Sequence, residues 1–138
     1  MEISNVVYVP GTRDLFHIGH LNIIRRARLL GRHLIVGVST DELVQQYKGH
    51  RPIVPYNERY EVIREIRCVD QVVQQTELLP IAQLSLLRAD VLVLGSDWLG
   101  SDLEGIRWMQ KNHEFVCLPR TEGVSTSELK RRIREGKS

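Results

Sequence analysis

An α/β fold, with a central parallel sheet of about five strands and helices on both of its faces, is what this sequence predicts. Three observations predict it. Short apolar runs of strand length recur at residues 6–9, 34–38, 91–94 and 115–118, with a weaker one at Val72-Val73. Segments of helical periodicity separate them. The informative polar segments follow the strand ends, where open sheets of this kind bind ligands.

In chain order, the first strand leads into a helix over about 18–30, closed by Gly31 as a C′ residue. After the second strand, Ser39-Thr40-Asp41-Glu42 reads as a capping box that opens a short helix. A third helix is expected over about 57–67, with Tyr60, Ile63 and Ile66 as its apolar positions. A fourth runs from Pro80 to Arg88, and a fifth over 102–112 is weakened by Gly105. Ser125-Thr126-Ser127-Glu128 is a second capping box, opening a terminal helix through Ile133. The plan is a Rossmann-like three-layer sandwich, and residues 1–138 form one domain.

Composition narrows the functions available. Hydrophobic residues make up 42% of the chain and charged residues 26%, as in ordinary globular domains. A formal net charge of +2 is too small to argue for a nucleic-acid partner, though it permits a locally basic, anion-binding cleft. Cys68 and Cys117 lack a C-x-x-C spacing and read as reduced thiols in apolar surroundings. Met1-Glu2-Ile3-Ser4 lacks the features of a signal peptide, and no apolar stretch is long enough to span a membrane. A cytoplasmic location is expected. There is no G-x-G-x-x-G fingerprint and no P-loop, which disfavours a dinucleotide-binding oxidoreductase.

The richest chemistry lies in residues 11–20, Gly-Thr-Arg-Asp-Leu-Phe-His-Ile-Gly-His, a tight polar turn between the first strand and the first helix. Backbone N–H groups and the positive end of a helix dipole gather there, a ready anion site. His17 and His20 are three residues apart, so both face one ligand. Gly11 permits the turn, Gly19 allows close backbone approach, and Thr12 offers a hydroxyl. No further Cys or His stands at a zinc-ligand spacing. A second phosphate site is expected at residues 120–127, where Arg120 follows a strand and Gly123, Ser125, Thr126 and Ser127 lead into a helix. The basic loop Lys48-Gly49-His50-Arg51-Pro52 fits solvated charges and a lid over phosphates equally well. Gly95-Ser96-Asp97-Trp98, just past a strand end, is placed for ligand contact. Arg25, Arg26 and Arg28, and also Lys130, Arg131, Arg132 and Arg134, read as wet helix faces, and His33 and His113 as surface residues.

G-T-x-D-x-x-H-x-G-H together with R-T-x-G-V-S-T-S resembles the cytidylyltransferases, a branch of the HxGH nucleotidyltransferases. The likeness covers nearly the whole chain and is strongest to the bacterial glycerol-3-phosphate cytidylyltransferases, which serve teichoic acid or capsule synthesis. The resemblance implies that a substrate phosphate attacks the α-phosphorus of CTP and expels pyrophosphate, with Mg²⁺ held mainly through the nucleotide phosphates. It implies that His17 and His20 stabilise charge on the triphosphate, that Lys48 bridges the phosphates, and that Arg120, Ser125 and Thr126 hold the β and γ groups. Thr12, Arg13, Gly19, Asp97, Trp98, Thr121, Gly123 and Ser127 would complete the nucleotide pocket, while Asp14, Lys48 and Arg67 would face a small phospho-alcohol. A homodimer is also implied.

Three features depart from the family pattern. Arg13 stands where an aromatic or apolar residue is usual. The loop from Lys48 to Pro55 is one residue longer than in similar chains. Residues 74–81 have no lysine where glycerol-3-phosphate enzymes tend to carry one. The resemblance makes glycerol 3-phosphate the first acceptor expected, and the missing lysine leaves a different phospho-alcohol open. Phosphoethanolamine or phosphocholine, and a sugar phosphate adenylylated from ATP, are alternatives. A catalytically inactive nucleotide-binding module is the alternative from another class.

Overall fold

The computed structural model describes residues 5–136. Five strands form one sheet: β1 (Val6–Gly11), β2 (His33–Ser39), β3 (Gln71–Gln75), β4 (Val91–Gly95) and β5 (Glu114–Leu118). Its order is β3-β2-β1-β4-β5, with every neighbouring pair parallel. The helices are α1 (Ile18–Arg28), α2 (Asp41–Lys48), α3 (Tyr56–Arg64), α4 (Ile81–Leu87), α5 (Glu104–Asn112) and α6 (Thr126–Arg134). One 3-10 turn, Ser96–Trp98, follows β4.

Alternation along the strands builds the three layers. Val7, Val9, Leu34, Val36 and Val38 pack with Ile24 and Ala27 of α1 and Ile63 of α3 on one face. Tyr8, Ile35, Leu92 and Leu94 pack with Leu84 of α4 and Ile106 and Met109 of α5 on the other. Strand order reverses between β1 and β4. Their register pairs only Val7 with Val91 and Tyr8 with Leu92, whereas β1 runs on to Gly11 and β4 to Gly95. The two carboxyl ends therefore part, and the crevice expected at a topological switch point opens between them.

Three local expectations are corrected. Gly31 is not a left-handed C′ residue, because its φ is not positive. It is glycine because a Cβ there would lie 2.6 Å from the Asn5 carbonyl oxygen and from Val7 Cγ2. The cap of α2 is Thr40, whose hydroxyl accepts from the Leu43 N–H at 3.1 Å. Ser39 stays in β2 and donates to Gln75 Oε1 at 2.7 Å. Gly105 does not weaken α5, since a Cβ at that position would overlap the Leu79 carbonyl oxygen. Its absence is what lets α5 approach the loop before α4.

Candidate active site

The carboxyl ends of β1 and β4 and the N-termini of α1 and α6 enclose a cavity of about 600 Å³. His17 is the N-cap of α1, and its Nδ1 accepts from the Gly19 N–H at 3.1 Å. His20 Nδ1 reaches back to accept from the His17 N–H at 3.2 Å. The two rings stack with centroids 3.8 Å apart. A ring nitrogen that accepts a backbone N–H carries no proton of its own. In each neutral imidazole the proton therefore sits on Nε2, which is left to donate to a ligand. Burial, with the nearby Arg13 guanidinium second, holds the His17 pKa below the usual histidine range. Burial, Arg13, His17 and Lys48, in that order, push His20 down to about 2. Gly19 serves this arrangement differently from the expectation of ligand approach. A Cβ on it would lie 2.9 Å from His17 Cε1, so the space it frees holds the imidazole.

The second anion site forms at α6. Ser125 caps the helix by accepting from the Glu128 N–H at 3.0 Å. The Thr126 hydroxyl donates to the Asp14 carbonyl at 2.9 Å and lies 3.5 Å from His17 Nε2. The Asn22 side-chain amide of α1 donates to Thr121 Oγ1 at 2.9 Å. These bonds dock the two helix N-termini against each other, so that two positive dipole ends face one cavity. Arg120 pairs with Asp97, and both line the cavity. Lys48 ends α2 at the cavity mouth. Partial burial and the neighbouring Lys130 lower its pKa, and Asp14 and Asp97 oppose that. Lys130 is thus part of the site's electrostatics rather than only a wet helix face.

Asp14 has a structural task beyond substrate contact. Its carboxylate accepts from the Ile53 N–H at 2.8 Å and the Val54 N–H at 2.9 Å. This fastens the far end of the basic loop to the turn after β1. Arg59, which no sequence pattern marks as a site residue, completes the fastening. Its buried guanidinium donates to the Thr12 carbonyl at 2.7 Å, the Val54 carbonyl at 2.8 Å and Asp41 Oδ1 at 2.6 Å. Tyr47 is a second site residue outside the sequence motifs. Its hydroxyl is 2.5 Å from Thr12 Oγ1, and its ring lies 5.9 Å from that of Trp98. The signal available for both is chain position: Tyr47 precedes Lys48, and Arg59 is an arginine on an otherwise half-apolar helix.

Thr12, Arg13, Gly19, Asp97, Trp98, Thr121, Ser125, Thr126 and Ser127 all line the cavity with His17, His20, Lys48 and Arg120. Gly123 shapes the turn before α6 with a φ of 76° and does not line it. Arg67 is not brought to the cavity. It is exposed in the turn between α3 and β3, at the end of the sheet where the strands begin.

The chain matches the cytidylyltransferase-like family over residues 8–132. It is 42% identical to the ethanolamine-phosphate cytidylyltransferase of Dictyostelium discoideum over 129 residues, which is 89% of this chain and 35% of that protein. It is 34% identical to the bifunctional protein HldE of Helicobacter pylori strain HPAG1 over 134 residues, 95% of this chain and 28% of that protein. The chain therefore spans about a third of the length of these curated relatives. A solved lipopolysaccharide core biosynthesis protein from Thermoplasma volcanium shares the fold, with a TM-score of 0.73 at 22% identity, covering 86% of this chain and 99% of that one. On its sequence match across most of its length, this chain belongs to the cytidylyltransferase-like family of nucleotidyltransferases.

Proposed function

We propose that the protein transfers CMP from CTP to a small phosphorylated alcohol and releases pyrophosphate. The observation that supports this best is the docking of the α1 and α6 N-termini around one cavity, which brings the stacked His17 and His20 together with Arg120, Ser125 and Thr126. A phosphate oxygen of the acceptor forms a bond to the α-phosphorus. The bond from that phosphorus to the α–β bridging oxygen breaks, and its electron pair leaves with pyrophosphate. The imidazole Nε2–H groups donate to oxygens on which charge grows, and the Ser125 hydroxyl, the Arg120 guanidinium and the backbone N–H groups at the start of α6 hold the departing phosphates, while the Thr126 hydroxyl keeps α6 docked on Asp14. The catalytic contribution is positioning and electrostatics, with no protein nucleophile.

Mg²⁺ is proposed as cofactor, carried on the nucleotide phosphates, whose charge it neutralises. Among the described residues no group of three or more His, Cys, Asp or Glu side chains gathers to hold a metal by itself. The ion would take its ligands mostly from phosphate oxygens and water. Glycerol 3-phosphate is the first acceptor to test. A second reading, ethanolamine phosphate, rests on the name of the Dictyostelium relative. A cytoplasmic homodimer accompanies the proposal, and sedimentation of the full chain checks the dimer.

The experiment is pyrophosphate release with Mg²⁺ and either CTP or ATP, against a panel of phospho-alcohols and sugar phosphates. Release with CTP and a phospho-alcohol is expected. No release with any pair would leave an inactive nucleotide-binding module as the better description.

A further inference from the structure

Arg13 lines the cavity and is only 8% exposed, yet no carboxylate among the described residues pairs with it. Its Nη2 makes two long contacts, 3.4 Å each, to the Val9 and Pro10 carbonyls. Its Nε is buried with no hydrogen-bond partner, as is the Tyr8 hydroxyl. Burial lowers its pKa to about 10, so it is still a cation at neutral pH, and the phenols beside it, Tyr8 and Tyr47, are uncharged there. A buried guanidinium without an anion is costly, and such groups are normally completed by a partner. A partner from the cavity would reach it at Nη1, the guanidinium nitrogen that is neither hydrogen-bonded nor fully buried.

The nucleotide phosphates already have their donors at the α1 and α6 termini. The hydrogen bonds of Arg13 run to the end of β1, and its charge also reaches His17 and His20 beside it. The cavity's carboxylates among the described residues are Asp14 and Asp97. Both oxygens of Asp14 are taken by the Ile53 and Val54 N–H groups, and Asp97 is paired with Arg120. Asp14 and Asp97 also act on the Lys48 ammonium, so the cavity's carboxylates already serve the cations of the protein. Tyr47 and Trp98 do not form a cage for an ammonium head either, because Lys48 Nζ already stands 5.8 Å from the Tyr47 centroid.

We infer that Arg13 determines acceptor specificity: its guanidinium receives an oxygen-bearing, preferably anionic, head group of the phospho-alcohol and excludes an ammonium head. The inference rests on the transfer reaction proposed above. Like charges about 6 Å apart at an effective dielectric constant of about 20 repel enough for roughly a hundredfold discrimination.

The test compares 2-phosphoglycolate, glycerol 3-phosphate and ethanolamine phosphate as acceptors with CTP. In the unaltered protein kcat/KM should fall in that order, with about a hundredfold between the first and last. Arg13→Gln should collapse the order, and Arg13→Lys, which keeps the charge, should retain it. Ethanolamine phosphate as the best acceptor, or an order unchanged in Arg13→Gln, would overturn the inference. If no acceptor releases pyrophosphate, the transfer reading falls, and thermal shifts then decide about Arg13. Stabilisation by 2-phosphoglycolate that is lost in Arg13→Gln supports its role, whereas equal stabilisation of both proteins refutes it.

Discussion

His17 and His20 show how one residue type takes two tasks at a helix start. Each Nδ1 satisfies a backbone N–H that α1 would otherwise leave unpaired, and each Nε2–H is thereby aimed outward. Replacing His17 by Ala removes a preorganised donor, and turnover should fall by about 10²–10³. It also removes the cap, at a cost of about 1 kcal/mol. Steady-state turnover together with a denaturation midpoint separates the two effects, and near-normal turnover would count against the assigned role. The same geometry predicts acid sensitivity. His20 is neutral in both folded and unfolded chains above its ordinary pKa of 6.5, so its contribution is fully present there. Below 6.5 the unfolded chain takes up a proton that the folded chain refuses until about pH 2, and stability is lost across that window. Between pH 7 and pH 5 this amounts to roughly 2 kcal/mol. His20→Gln should reduce the drop in urea-unfolding free energy over that interval by about this amount, and an identical drop in both proteins would refute the assignment.

At the scale of elements, caps and close contacts decide what propensity leaves open. The stretch 39–42 offers two successive hydroxyls, and a capping pattern can be drawn from either. Tertiary structure chooses Thr40, because β3 places Gln75 where it binds the Ser39 hydroxyl. Ser125 needs no such arbitration, for no neighbouring strand competes for it. At Gly105 propensity and packing point in opposite directions. Alanine would favour an isolated helix by about 1 kcal/mol. Its Cβ would, however, collide with the Leu79 carbonyl and push α5 off the loop before α4. Gly105→Ala should therefore destabilise the protein by about 1–3 kcal/mol. Thermal denaturation gives the sign directly, and a raised Tm would contradict the packing described.

For the whole molecule, Arg59 is the residue that joins separate parts. It ties the turn after β1, the N-terminus of α2 and the end of the basic loop into one wall of the cavity. Arg59→Met leaves Asp41 and two carbonyls without their donor and should cost about 3–5 kcal/mol. CTP affinity, measured by calorimetry on the folded fraction, should weaken as well, because the segment bearing Lys48 loses its anchor; unchanged affinity and stability would refute the joining role. The sheet, its strands, most helices and the two anion motifs are legible in the sequence, because periodicity, caps and strand-end polarity are local properties. Residues 11–20 and 120–127 therefore mark a phosphate site by residue type and spacing alone. The docking of Thr126 on Asp14, the engagement of the Asp14 carboxylate by Ile53 and Val54, the exclusion of Arg67 and the unpaired burial of Arg13 depend on contacts between distant segments, which no local pattern encodes. The sequence by itself determined the α/β fold and the chemistry of the donors. Only the tertiary structure decided which donors share a cavity and which charge in it lacks a partner, because burial and pairing exist only once the chain has closed on itself.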